Sequence, residues 1–395
     1  MMSHYSCRVT QFVSLDSVVC DFIQVLATLY YDNRQIREQG ALKGATESEI
    51  GLIFGIFELV IFLTGPVFGK YITVVGPKFL YTSGLFAAGY SSILFGLLNL
   101  SPPGTTFVAL CFAVRIAEAI GDSAFMTASF SIIANEFPGH VSTMVGVLET
   151  FTGLGLMIGP AIGGALYDIG GFGVPFFTSG VLLIVAAAVS MCLIPQQNMS
   201  QSEHSSMLAL LKIPTVPVML LSLAIFAMGF GFLDPTLEPH LEQFNLSSFY
   251  VGLLFMIMSV VYTITSPFWG WLIDKKGHAV PIMIFGCVAF TVGYLLVGPS
   301  PWLNLPTNLW IIAIGLFLIG LGAGAGMIPP FNECVKAAKD RGIEENFQLY
   351  GNVSGLFSSS MSLGAFIGPT IGGSLMNAMG FSWASTVVSG TAAFV

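Results

Sequence analysis

The sequence predicts an all-α membrane protein of two pseudo-symmetric six-helix bundles, about twelve transmembrane helices in all, and three observations carry that prediction. The first is composition. Of 395 residues, 54% are hydrophobic and 9% charged, whereas soluble domains carry roughly a quarter charged residues. Such a chain cannot present a water-wetted surface all round, so lipid is its solvent. The second is a succession of apolar stretches of about 17–25 residues, the length that crosses a bilayer as a helix. The third is a long motif that returns half a chain later.

In order, apolar stretches bounded by Lys/Arg, Pro/Gly or Asn clusters fall at 9–31, 50–75, 79–98, 106–135, 141–168 and 173–194. These make an N-terminal half, 1–194, whose residues 1–45 are atypical. Residues 195–214 form a polar linker. The C-terminal half, 215–395, holds spans at 216–242, 249–273, 279–299, 308–335 and 347–376, and a last helix begins near 382. The two end helices are irregular. Asp16 and Asp21 lie in the 9–31 stretch, each costing up to about 3 kcal/mol at mid-bilayer. That stretch reads equally as an aberrant segment or as a working helix with a buried carboxylate. After Phe381 only 14 residues remain, about 21 Å of helix against a hydrocarbon core of roughly 30 Å. The last helix is therefore expected to be truncated, and transport to be weak unless a regular first helix and a complete twelfth are supplied.

Charge asymmetry orients the spans. The linker and the loops that follow the 50–75, 249–273 and 308–335 spans hold Lys70, Lys78, Lys212, Lys275, Lys276, Lys336, Lys339 and Arg341, while the intervening loops hold none. Positive residues stay in the cytosol, so those loops and the linker are expected there. Arg34, Arg37 and Lys43 break the rule. The net charge of -8 removes the electrostatic case for nucleic acid. Six scattered cysteines show no metal or redox spacing, and neither phosphate loops nor nucleophile–base pairs occur, so no enzyme, metal or cofactor is expected.

The repeat runs Gly155-Leu-Met-Ile-Gly159-Pro160-Ala-Ile-Gly163-Gly164 and again Gly364-Ala-Phe-Ile-Gly368-Pro369-Thr-Ile-Gly372-Gly373, at a constant offset of 209. A match of that length at half-chain spacing indicates homologous halves. Gly69, Gly76 and Lys78 are echoed by Gly270, Asp274, Lys275 and Gly277. The loop Gly270-Trp-Leu-Ile-Asp274-Lys275-Lys276-Gly277, Arg115 with Gly121, and the Gly155–Gly164 motif resemble the signatures of the major facilitator superfamily, the last being that of proton-driven antiporters. Phe232-Leu-Asp234-Pro235-Thr-Leu, Leu148-Glu149-Thr150-Phe-Thr-Gly-Leu-Gly and Val353-Ser-Gly-Leu-Phe-Ser resemble the vesicular amine transporter family (solute carrier family 18), most of all its polyamine-carrying branch. Thr73 and Val74 depart from the family's acid and base in the first-half loop.

Within the spans, charged residues are the candidates for function, since each needs a partner or a polar cavity. Arg115, Glu118 and Asp122 share one helix face; they form either a structural ion pair or a proton-coupling group whose acid is tuned by the arginine. Asp234 lies where glycines and Pro235 and Pro239 break helix regularity, and Glu333 follows Pro329 and Pro330. These two are the first candidates for a cationic cargo, with Glu149 and Tyr262 beside them. The glycine–proline motifs serve helix packing or a bendable gate. Glu58, Glu118, Asp122, Glu149, Asp234, Glu238 and Glu333 face one arginine, which favours a cationic cargo. The expectation is a monomeric, proton-coupled antiporter of polyamines or monoamines in an acidic secretory or synaptic-type vesicle, the compartment following from the resemblance alone. Its alternatives are a plasma-membrane drug/proton antiporter and a truncated, non-transporting isoform.

Overall fold

The computed structural model describes residues 39–195, 206–303 and 305–394. The 9–31 stretch with Asp16 and Asp21, together with Arg34, Arg37, Cys7 and Cys20, lies outside the described residues, as does the middle of the linker. The described chain is helical: α1 Glu47–Val75, α2 Pro77–Leu97, α3 Thr105–Glu136, α4 Val141–Gly170, α5 Gly173–Leu193, the short α6 Met207–Leu211, α7 Thr215–Leu241, α8 Ser248–Lys276, α9 Ala279–Val297, α10 Leu309–Met327, α11 Pro329–Asp340 and α12 Phe347–Phe394. Among the described residues, eight helices are long and apolar enough to cross a membrane by length and composition. Two long helices are not among them. α3 carries Arg115, Glu118 and Asp122, and α12 is rich in Ser and Gly.

Local chemistry sets the boundaries. Thr46 and Glu49 close a reciprocal capping box at the start of α1, satisfying donors the first turn cannot. Asn308 accepts from Trp310 N at the start of α10. Pro329 follows Ile328, and the chain breaks into α10 and α11 there because proline can neither donate nor tolerate the preceding turn. α12 is two helices meeting at Gly380, whose φ of 76° is non-helical. Gly171 has a φ of 75°, so the offset of 209 is written in the backbone as well as the sequence. Lys43 stands against the charge rule for a local reason: its Nζ donates to Asn99 O at 2.8 Å and Ser101 O at 2.7 Å, satisfying carbonyls beyond the end of α2.

Two compact units result. Unit 1 holds the described residues of Met1–Glu136, Leu154–Ser205 and Glu345–Ser359; unit 2 holds those of Phe137–Gly153, Ser206–Glu344 and Ser360–Val395. The first part of α4 thus belongs to unit 2, and the first part of α12 to unit 1. In unit 1, Tyr81, Leu85, Phe125 and Leu183 form an apolar core, and Phe95, Phe107, Phe172 and Phe176 a second. α2 and α3 touch backbone to backbone, since a Cβ on Gly84 would stand 2.6 Å from Gly121 O. Unit 2 repeats this with Gly286, 2.8 Å from Gly322 O. Outward faces carry Leu63, Phe79, Ile264, Phe268 and Val288, all more than half exposed, as lipid-facing surface requires.

Candidate functional site

The closing contact of unit 2 runs along α4 and α8. Both helices present small residues every four positions, so their backbones meet: a Cβ on Gly270 would lie 2.2 Å from Ser142 O, and one on Gly146 2.6 Å from Ser266 O. Pro267 lacks the N–H that would bond Thr263 O in the turn before it. Thr150 Oγ1 reaches that carbonyl from α4 at 3.2 Å, its single hydrogen shared with Gly146 O of its own helix at 2.8 Å. At one end of the contact Asp274 accepts from Ser142 N at 3.2 Å, Thr143 N at 2.7 Å and Thr143 Oγ1 at 2.6 Å. An anion so placed satisfies the free donors of the α4 N-terminus and its positive dipole end. At the other end Tyr262 Oη donates to Glu149 Oε2 at 2.6 Å. Glu149 and Tyr262 are each 2% exposed, and the Tyr262 ring meets Phe230 edge-on at 5.5 Å.

Unit 1 builds the matching contact from α1 and α12. Gly69 meets Gly351 and Gly65 meets Gly355 at backbone distance. Pro66 frees Phe62 O, and Ser359 Oγ donates to it. These are the α8 and α4 residues shifted by 201 and 209. The ends differ. Thr73 replaces Asp274 and bonds the Gln348 side chain, whose Nε2 reaches Gly69 O, Lys70 O and Asn352 Oδ1. Ser358 stands where Glu149 would be, and Ile61 where Tyr262 would be.

The other candidates disperse. Asp234 is exposed on α7, one turn beyond Phe230 and directly before Pro235, and the expected break does not occur, α7 running as continuous helix through Pro235 and Pro239 to Leu241; Asp234 makes no hydrogen bond or ion pair with the described residues. Glu333 lines a cavity of about 270 Å³ with Asp274, Gly277, Asn332 and Lys336, 3.8 Å from Lys336 Nζ. That cavity sits at the Lys-rich end of unit 2, by the turn after α8, whereas Asp234 approaches the opposite end, by the turn before it. Asp234 therefore does not line the cavity that holds Glu333. Glu238 lines a separate cavity with Glu242 and Asn245. In unit 1 Arg115 Nη1 meets Glu118 Oε2 at 2.9 Å, and its guanidinium lies over the Phe57 ring at 4.5 Å. Asp122 is buried on the same helix.

The second glycine motif packs on α7. Cβ atoms on Gly364 and Gly368 would lie 2.1 Å from Ala224 O and 2.3 Å from Met228 O, and Gly372 faces Phe232. Gly231 of α7 in turn abuts Pro369. In α4, Gly155, Gly159 and Gly163 are buried and Pro160 is exposed; Gly164, like Gly373, faces open space. Sequence reasoning missed Thr150, Ser359 and Gln348. Aligning Pro66 with Pro267 and asking what satisfies each freed carbonyl would have found the first two.

Long apolar helices with Arg115, Glu118, Asp122 and Glu149 buried among them define a multi-pass integral membrane protein. A family model of the Major Facilitator Superfamily matches residues 28–342 and 219–395. The chain is 42% identical over 347 residues to "MFS-type transporter SLC18B1" of Homo sapiens, covering 87% of this chain and 76% of the relative. It is 26% identical over 354 residues to the chromaffin granule amine transporter of Rattus norvegicus, covering 86% and 63%. A crystal structure of the human organic anion transporter MFSD10 (TETRAN) superposes with a TM-score of 0.72 over 98% of both chains at 19% identity, a likeness of fold. The chain belongs to the major facilitator superfamily and, within it, to solute carrier family 18. It is a transporter and not an enzyme.

Proposed function

We propose that this protein is a monomeric proton-coupled antiporter that moves organic cations, polyamines such as spermine before monoamines, from the cytosol into an acidic vesicle. The supporting observation is a pair of acids in unit 2, Glu149 and Asp234, that have no cation partner among the described residues and have Tyr262 and Phe230 beside them. An acid in a membrane span demands a counter-charge, and aromatic faces favour ammonium groups. Two separated acids suit a cargo with several ammonium groups. Protons and amine compete for the same carboxylates, which gives exchange. Relatives named as vesicular amine transporters support the vesicle over the plasma membrane. Arg115, Glu118 and Asp122 are the proposed proton-coupling group of unit 1. The test is uptake of labelled spermine by purified protein in liposomes under an imposed proton gradient. Uptake that collapses with the gradient supports the reading; absence of spermine and monoamine uptake refutes it.

A further inference from the structure

Glu149 and Tyr262 occur in one of two otherwise matching contacts, and this asymmetry serves as an internal control. The α1–α12 contact of unit 1 shares with α4–α8 two glycine approaches, Gly69 for Gly270 and Gly355 for Gly146, a proline-freed carbonyl and a hydroxyl donor, Ser359 for Thr150, with Gly65 and Gly351 where α8 and α4 have Ser266 and Ser142. It closes with Ser358 and Ile61 at the equivalent positions. Packing two such helices therefore does not require a buried carboxylate and a phenol. Placing them there has a cost, because a 2% exposed acid gives up its hydration.

We infer that the Glu149–Tyr262 hydrogen bond is the charge-sensitive release of the α4–α8 contact, an inference that rests on the antiport reading above. A phenol donating to a carboxylate at 2.6 Å has the length of a charge-assisted bond, about twice as strong as its neutral counterpart. Tyr262 is the titratable side chain that faces Glu149 among the described residues. Two events weaken the bond. A proton taken up by the carboxylate leaves a neutral acid, while the phenol keeps its own proton. An ammonium group that pairs with the carboxylate competes with the phenol for its lone pairs. Either event leaves α4 and α8 held by glycine contacts, Thr150 and the Asp274 cap. The pair sits at the inner end of the contact and Asp274 at the Lys-rich end, so occupancy inside the protein is reported to its Lys-rich end.

The test measures the separation of those helix ends by pulsed dipolar spectroscopy. Spin labels go at exposed His140 and Lys276, in a full-length chain whose six native cysteines are replaced by Ala, reconstituted in lipid nanodiscs. Glu149→Gln removes the charge and keeps the shape, and the fraction of molecules at long distance is expected to rise several-fold over the parent. Tyr262→Phe removes only the hydroxyl and is expected to do the same. Ser358→Ala, at the equivalent place in unit 1, is expected to leave the distances unchanged. Parent-like distances in Glu149→Gln overturn the inference. Parent-like distances in Tyr262→Phe overturn it as well, even where the Gln variant does not fold. Longer distances in the variants, with neither spermine nor monoamine uptake by the parent chain, keep this inference and refute the amine reading, whereas uptake by the parent with unmoved distances in the variants does the reverse.

Discussion

Asp234 and Glu333 look alike in the sequence, each an acid beside prolines in an apolar span, yet their surroundings give them different work. Asp234 makes no hydrogen bond or ion pair with the described residues and stands within α7, whose Pro235 and Pro239 leave carbonyls without helical donors. Glu333 shares its cavity with Asp274 and the exposed Lys336, an arrangement in which the acid already has a nearby counter-charge. Asp234→Asn is expected to lower spermine uptake at least about tenfold, equivalent to roughly 1.4 kcal/mol of lost stabilisation, with surface expression retained. Glu333→Gln is expected to change uptake less than threefold, a limit set well below the tenfold step. Equal losses in both, measured in the same vesicles, would return Glu333 to the cargo path. Asp274→Asn acts elsewhere again: it weakens the cap on α4, worth about 1 kcal/mol, and is expected to lower thermal stability in detergent.

At the scale of the element, α1 and α8 each carry a carbonyl that their own proline has orphaned, and the neighbouring helix supplies a donor. Thr150→Val removes that donor for Thr263 O at a cost of about 1–3 kcal/mol. Adding Pro267→Ala gives the carbonyl a helical N–H again, so the double variant is expected to melt above the Thr150→Val single. A double variant that melts below both singles would show that the kink itself is what Thr150 supports. The spans were legible in the sequence because hydropathy belongs to each residue alone: 141–168, 173–194 and 279–299 lie within about two residues of α4, α5 and α9. The repeat was legible for the same reason, since it needs no partner. What was hidden is pairwise. Glu149 was singled out as an embedded acid and Tyr262 as an aromatic, but that they bond each other depends on α4 crossing α8 at a particular register. The break at Pro329 was visible as a proline pair, yet the earlier span continued through it.

For the whole molecule, the membrane fixes which ends of the helices face which compartment. Tags inserted at His278 and at Asn245 lie in successive turns on opposite ends of α8. The lysine count places His278 in the cytosol, so protease added to that side is expected to cut the first tag and spare the second. The reverse pattern would overturn the orientation and, with it, the direction of transport. The two matching contacts also bear on how the sequence can change over generations. Duplication of a six-helix ancestor would have begun with two equal closing seams, and only one now carries acid at both ends. Drift is then unequal. In a saturation library selected for transport, Ile61, Thr73 and Ser358 should accept many replacements, while their counterparts Tyr262, Asp274 and Glu149 should accept few. The shared glycines, Gly69 and Gly355 on one seam and Gly270 and Gly146 on the other, should be equally intolerant in both.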